Sequence, residues 1–125
     1  MIHFDLIENL PHQKAIQRKR EADIFIDQIG DKGGWGYGMN SVESLSMGIC
    51  TLTEMNKKYC EFLPDHPFVN INEKTLETVL RKLISDRTRI LHYGRKGKEW
   101  VDKIHNYQEV ADSLYSYYRK IGLPV

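Results

Sequence analysis

A glycine-rich segment that leads into a helix is the part of this 125-residue sequence best suited to chemistry. Five glycines lie between Gly30 and Gly38, and a glycine backbone can approach a ligand closely. The residues after Gly38 predict a helix, whose first N–H groups and positive dipole end attract anions such as phosphate. The segment matches neither the dinucleotide fingerprint nor the P-loop, so its spacing alone predicts an anion site and no particular nucleotide family.

Glu43 is the acidic residue at the start of this helix, and two interpretations of it remain open. Asn40 is a good N-cap residue, so Glu43, three residues later, could bond back to the cap as in a capping box. A carboxylate at a phosphate-attracting helix end could instead accept hydrogen bonds from ribose hydroxyls. The residue types alone favour the cap.

Strands and helices alternate around this segment. Short runs of apolar, branched and aromatic residues predict about four strands, at residues 3–8, 23–29, 49–54 and 67–71. Helices are predicted at residues 12–22, started by Pro11, and between Asn40 and Gly48, where glycine can end the helix in the left-handed conformation. This order predicts an α/β, Rossmann-like fold with a parallel sheet and flanking helices. Such sheets bind ligands beyond the carboxyl ends of their strands.

From Asn72 onward the pattern changes to helices, the first of them capped by Asn72. Its apolar stripe consists of Leu76, Val79, Leu80, Leu83 and Ile84. Further helices are predicted at residues 87–104 and 107–121, and Asn106 with Glu109 has capping-box spacing for the last one. We therefore expect one domain over residues 1–125, with strand–helix alternation at 1–71 and a helical part at 72–125.

Residues 38–51, Gly-Met-Asn-Ser-Val-Glu-Ser-Leu-Ser-Met-Gly-Ile-Cys-Thr, resemble a family signature. It is the Gly-x4-Glu-Ala-Met-Ala-x-Gly-x-Pro-Val motif of retaining glycosyltransferases with the B-type, two-Rossmann-domain fold. Residues 7–12 resemble the loop that contacts the nucleotide base, residues 23–27 the next strand, and Trp100 with Tyr117 and Tyr118 the closing helices. The chain thus looks like the nucleotide-sugar-binding C-terminal domain of a group 1, family 4-like enzyme, truncated at its N-terminus.

This resemblance implies a function in glycosyl transfer. The domain would bind a nucleotide-diphosphate sugar as substrate, without a further cofactor, and another domain would hold the acceptor hydroxyl. Carried over by position, Glu43 would hold the donor ribose. The other implied contacts are the backbone of Gly38, Met39 and Asn40 at the diphosphate and donor sugar, and Leu10 and His12 near the base.

Two departures from the family pattern bear on activity. The family's first glutamate, which contacts the donor sugar, corresponds to Trp35, which could either stack on a sugar face or anchor the loop. Two opening strands, an Arg and a Lys that balance the diphosphate, and the acceptor-binding N-terminal domain have no counterpart here. Four basic residues of the first helix are interpreted as a solvated face rather than a substitute: Lys14, Arg18, Lys19 and Arg20.

We therefore expect an incomplete domain that is inactive as an isolated chain. Its partner would be the missing N-terminal domain or another chain. At the uncovered edge of the strand at 23–29, either the first strand moves in beside it, or two copies pair through that edge as a homo-oligomer. The alternative is a non-catalytic interaction module or a degenerate domain. A phosphoacceptor or other small-ligand domain is a weaker third interpretation, because no acidic pocket is evident.

Composition argues against several other partners. A formal net charge of +1 gives no overall attraction to nucleic acid. The five histidines are dispersed, and Cys50 and Cys60 have no metal-ligand spacing, so no metal site is expected. No apolar run is long enough to predict a transmembrane segment, and residues 1–8 do not resemble a signal peptide. A cytoplasmic location with reduced thiols is expected.

Overall fold

The computed structural model describes residues 1–30 and 36–125 and has a mixed α/β architecture. In chain order the elements are α1 (His12–Arg20), β1 (Ile24–Ile26), α2 (Met39–Ser46), β2 (Cys50–Thr53), α3 (Lys57–Phe62), β3 (Val69–Asn70), α4 (Leu76–Ile84), α5 (Arg87–Ile104) and α6 (Tyr107–Lys120). The predicted helical C-terminal part is present, and the bounds of α5 agree with the prediction. In the described ranges, no helix is both long and apolar enough to cross a membrane.

The strands form a three-stranded parallel sheet in the order β1-β2-β3. Ile24 is paired with Cys50, and Leu52 with Val69. The backbone N–H of Asp27 donates to the carbonyl of Leu52 at 2.9 Å, which carries the β1–β2 pairing one residue past β1. β2 is the central strand, and all four of its residues are buried.

The predicted strand at residues 3–8 is wrong, so the described sheet has three strands rather than four. The segment pairs with no strand in the described ranges, and Phe4 and Leu6 are 75% and 61% exposed. Alternating apolar residues form a strand only where a neighbouring strand accepts their hydrogen bonds. Here the Asp5 carboxylate contacts the Arg18 guanidinium, which ties the segment to α1 instead.

Two helix starts also differ from the sequence prediction. α2 has Gly38 as its N-cap residue, and Asn40 lies inside its first turn, because the Asn40 side chain contacts another helix instead of capping. α3 was not predicted; its N-cap residue is Asn56, whose side chain accepts a hydrogen bond from the Tyr59 N–H at 3.0 Å.

Of the other predicted helix ends, those at Gly48 and Asn106 are confirmed, whereas the predicted Asn72 cap of α4 is wrong. Gly48 has a φ of 74° just after α2, in the left-handed region. The Asn106 side chain accepts a hydrogen bond from the Glu109 N–H at 2.9 Å and caps α6. Asn72 accepts from the N–H groups of Lys74 and Thr75 in the turn before α4, whose own N-cap residue is Thr75.

β2 separates two buried layers, because successive side chains of a strand point to opposite faces of the sheet. Cys50 and Leu52 pack with Ile71 of the β3 end and Leu83 of α4, and we call this side the apolar face. Thr51 lies on the other side, where its Oγ1 is 2.7 Å from the Ser44 Oγ of α2. We call that side, with the buried Ser41, Ser44, Thr51 and Thr53, the polar face.

α5 contacts both layers and holds α2 close to the sheet. Its Trp100 and Val101 pack with Leu45 of α2, whereas Ile90 and Tyr93 pack against the apolar face. At Gly94 an added Cβ would lie 2.1 Å from the Gly48 carbonyl oxygen, a distance that real Cβ atoms do not reach. The close contact at Gly94 therefore fixes the C-terminal end of α2 against α5.

Candidate functional site

The N-terminal turn of α2 lies where the predicted anion site would be. The chain passes from the carboxyl end of β1 through the glycine-rich segment to Gly38, whose backbone is extended, with φ −118° and ψ −174°. The N–H groups of Ser41 and Val42 donate to the Gly38 carbonyl at 3.1 and 3.2 Å and form the first turn. The N–H groups of Met39 and Asn40 precede these bonds, so the helix itself offers them no acceptor.

Lys19 of α1 is buried beside this turn, contrary to the prediction that it belongs to a solvated face. Its side chain is 5% exposed, and its Nζ lies 2.7 Å from Glu43 Oε2 and 2.7 Å from Asn40 Oδ1. The same ammonium group lies 5.1 Å from the centroid of the Phe25 ring. An ammonium group can be buried when a carboxylate and further acceptors replace its water. Lys19 therefore joins α1, β1 and α2.

Glu43 has its two carboxylate oxygens in different surroundings. Oε2 accepts from Lys19, whereas Oε1 is 3.8 Å from the Nε2 of His12, whose side chain is 74% exposed. The carboxylate thus faces α1, and the capping interpretation of Glu43 fails because Gly38, not Asn40, precedes the helix. Of the residues that the resemblance implied, Asn40 and Glu43 contact Lys19, and His12 lies beside Glu43.

A second contact fixes α2 to the end of β1. Ser41 Oγ donates a hydrogen bond to Asp27 Oδ2 at 2.5 Å. Asp27 is the residue immediately after β1. Deeper along α2, Ser44 Oγ donates to the Ser41 carbonyl at 2.9 Å. Asp27 and Ser41 were not among the predicted site residues, although an acidic residue immediately after a buried strand is a usable signal for a site at the carboxyl edge.

Thr53 adds a buried hydroxyl at this edge. The residue is fully buried, and its Oγ1 has no hydrogen-bond partner within residues 1–30 and 36–125. Thr53 lies two residues after Thr51, on the same face of β2. Because the chain reverses direction at Gly48 between α2 and β2, the C-terminal end of β2 with Thr53 lies near the N-terminal end of α2. A buried hydroxyl without a hydrogen-bond partner lowers the stability of the fold. Near a candidate ligand site, such a hydroxyl is a candidate contact for the ligand.

The remaining predicted site residues are less closely grouped. Met39 is 73% exposed at the helix start. Leu10 is partly buried before α1, next to Asn9 with its left-handed φ of 54°. Trp35, the position of the family's first glutamate, lies outside the described residues.

Tyr37 links the end of the glycine-rich segment to α5. Its hydroxyl lies 2.9 Å from His105 Nε2, and its ring packs at 4.8 Å from Phe68 and 5.6 Å from Trp100 between centroids. Burial, with a smaller contribution from Tyr59, raises the pKa of Tyr37, and burial lowers the pKa of His105. Both groups are therefore neutral at pH 7, and the contact is a neutral hydrogen bond.

The described residues offer little to a metal or to nucleophilic catalysis. They contain no cluster of three or more His, Cys, Asp or Glu side chains that could hold an ion. Burial raises the pKa of Cys50 to about 12, so its thiol stays protonated and unreactive at neutral pH. The candidate site offers helix N–H groups, two carboxylates and one buried ammonium group.

Comparisons with protein-family models, with curated proteins and with solved structures found no match. The resemblance of residues 38–51 to the glycosyltransferase signature therefore stays a prediction from the sequence.

Proposed function

We propose that this chain binds the diphosphate and ribose of a nucleotide-diphosphate sugar at the N-terminal turn of α2, as the donor side of glycosyl transfer. The observation that carries the proposal is that buried Lys19 contacts Asn40 and Glu43 at that turn, with His12 on the other oxygen of Glu43. The exposed Met39 and the extended Gly38 lie at the same helix end, so a phosphate could approach the backbone N–H groups there.

Glu43 is the proposed ribose acceptor. Lys19 holds its Oε2 at 2.7 Å, which fixes the carboxylate, and Oε1 lies on the side of the exposed His12. An ionised carboxylate is an acceptor only, so it suits the two hydroxyls of a ribose. Lys19 acts through Glu43 and Asn40 in this arrangement, since those two oxygens and the Phe25 ring surround its ammonium group.

The charges predict weak donor binding by the isolated chain. Lys19 balances Glu43, and the Asp27 carboxylate remains close to the start of α2. Stabilisation of the diphosphate then rests on the N–H groups and the helix dipole, which contributes about 0.3–1 kcal/mol at an exposed helix end. We expect a dissociation constant of about 1 mM for a nucleoside diphosphate.

Transfer itself requires groups that another domain or chain supplies. The anomeric carbon of the donor sugar passes to an acceptor hydroxyl, while the leaving diphosphate takes up the electron pair of the broken bond. Electrostatic stabilisation of that leaving group is the main catalytic need. The described residues provide the helix end, and the ammonium group of Lys19 at this turn is already paired with the Glu43 carboxylate.

Isothermal titration calorimetry with UDP, GDP and ADP tests the proposal. Wild type is expected to bind at least one of them, Glu43→Gln to bind it about tenfold more weakly or worse, and Glu77→Gln to bind like wild type. Glu77 is a matched control because it is an exposed glutamate in the first turn of another helix, α4. The absence of heat with all three nucleotides at several millimolar would sink the proposal.

A non-catalytic interaction module is the second candidate, and one observation favours it. The last helix, α6, has no buried residue, and six apolar or aromatic side chains of α6 and its C-cap residue Ile121 are about half exposed or more. Such a surface is typical of a helix that packs against a partner. Binding of a protein partner without any nucleotide binding would support the interaction module and contradict donor binding.

A further inference from the structure

α6 carries an uncovered apolar stripe at regular spacing. Its residues recur at intervals of three and four along the helix and its C-cap, with exposures between 46% and 87%: Tyr107, Val110, Leu114, Tyr117 and Ile121. We call this set the α6 stripe. The preceding helix, α5, buries four residues, whereas α6 buries none. The 3-4 spacing is that of helices which pair along a seam.

The two ends of α6 carry charged residues of opposite sign beside the α6 stripe. Glu109 lies in the first turn, and Arg119 and Lys120 lie in the last turn. Lys120 lies beside the stripe, since its Nζ is 5.3 Å from the centroid of the Tyr117 ring. Glu109 and Lys120 occupy the same flank of the stripe by helical spacing.

We propose that the α6 stripe pairs with the α6 helix of a second copy of this chain, antiparallel and about a two-fold axis near Leu114. Leu114 lies seven residues from Tyr107 and seven from Ile121, so an antiparallel pair matches the two ends of the stripe. The same axis brings Glu109 opposite Lys120 of the second copy, and each pair of opposite charges occurs twice. In a parallel pair, Glu109 and Lys120 of the two copies would stay about 16 Å apart along the helix axis and could not meet.

The interface is small, so the dimer is reversible. A 14-residue helix is about 21 Å long, and two such helices bury less than the roughly 800 Å² per partner of a standard interface. The proposal is independent of nucleotide binding. It also places the second copy on α6 rather than on the open edge of β1.

Sedimentation equilibrium from about 10 µM to about 1 mM, the range in which small interfaces associate, tests the pairing. Wild type is expected to shift from monomer to dimer, and Leu114→Glu to stay monomeric. Leu91→Glu is the matched control on α5, since Leu91 is 56% exposed and Leu114 is 46% exposed. Circular dichroism verifies the fold of each variant. The proposal is overturned if wild type stays monomeric, if Leu114→Glu still dimerises, or if Leu91→Glu abolishes the dimer equally.

A charge exchange tests the antiparallel direction. Glu109→Lys and Lys120→Glu are each expected to weaken the dimer roughly three- to tenfold, because each change affects two symmetric ion pairs. The double variant is expected to return to within about twofold of wild type, since both pairs are restored with reversed sign. A double variant as weak as, or weaker than, the single variants overturns the antiparallel arrangement.

Discussion

The two faces of β2 are equally buried and chemically opposite. On the apolar face, Cys50 and Leu52 are fully buried against Ile71 and Leu83. On the polar face, Thr51 and Thr53 are also fully buried, but their neighbours in α2 include Ser41 and Ser44. One short strand thus supports two kinds of packing.

The difference between the two faces suggests that the apolar face mainly stabilises the fold, whereas the polar face mainly positions α2. Apolar burial contributes about 25 cal/mol per Å² and has no preferred direction. Hydrogen bonds contribute only about 1 kcal/mol each, but they fix distances and orientation. On the polar face, the Ser41–Asp27 and Ser44–Thr51 contacts hold α2 against β1 and β2, and the candidate ligand site lies at the start of the same helix.

The largest effect is expected on the apolar face. Leu52→Ala should lower the free energy of unfolding by about 3 kcal/mol, because it leaves a cavity between β2 and α4. Urea denaturation measures it, with the exposed Leu91→Ala as control, where a loss below about 0.5 kcal/mol is expected. Equal losses at the two positions would contradict the assignment of the core to this face.

Lys19→Met should have the next largest effect. It leaves the Glu43 carboxylate without its partner, and because Glu43 is 24% exposed and can regain water, we expect a loss of about 2 kcal/mol rather than more. Lys14→Met on the exposed side of α1 is the control and should change little. The double variant Lys19→Met/Glu43→Gln should lose less than the sum of the two single losses. Additive losses would show that the pair is not coupled.

Thr51→Val tests the hydrogen bonds of the polar face. Valine keeps the shape of the side chain but removes the hydroxyl, so Ser44 loses one of its two partners while keeping the Ser41 carbonyl. We expect a loss of about 1 kcal/mol in urea denaturation. A stability gain would mean that the Ser44–Thr51 contact carries no favourable energy.

Thr53→Val should have the smallest effect and the opposite sign. The Thr53 hydroxyl has no partner among the described residues, so its removal is expected to raise the free energy of unfolding by about 0.5 kcal/mol. If nucleotide affinity falls at the same time, the hydroxyl contributes to the ligand site. A loss of stability comparable to that of Thr51→Val would show that Thr53 has a partner after all.

Local sequence patterns predicted most of the helices and strands, but not which elements pair or pack with one another. The apolar stripe of α4 and the Asn106 cap of α6 are local in sequence, and the structure has both. The alternation at residues 3–8 is equally local and predicted a strand wrongly, because a strand also needs a neighbour to pair with. The missed helix α3 is only six residues long, too short for a periodic pattern.

In the candidate site, too, the residues that depend on contacts distant in sequence could not be predicted. The glycine-rich segment and Glu43 could be selected from the sequence, because glycines and a helix start are visible there. Lys19 could not, since its burial depends on Glu43, 24 residues away, and on α1 packing beside α2. Its neighbours in sequence, Arg18 and Arg20, are exposed or bonded elsewhere, so a basic run gave no sign of one buried member.

We propose that the polar face positions the start of α2 for a nucleoside diphosphate. Amide chemical shifts, followed by ¹H–¹⁵N NMR during titration with UDP, GDP or ADP, test it most directly. The prediction is that the amides of Met39 and Asn40 shift most, saturably, and that Lys19→Met weakens the binding while Lys14→Met does not. Shifts confined to another part of the chain, or none at several millimolar nucleotide, would contradict it.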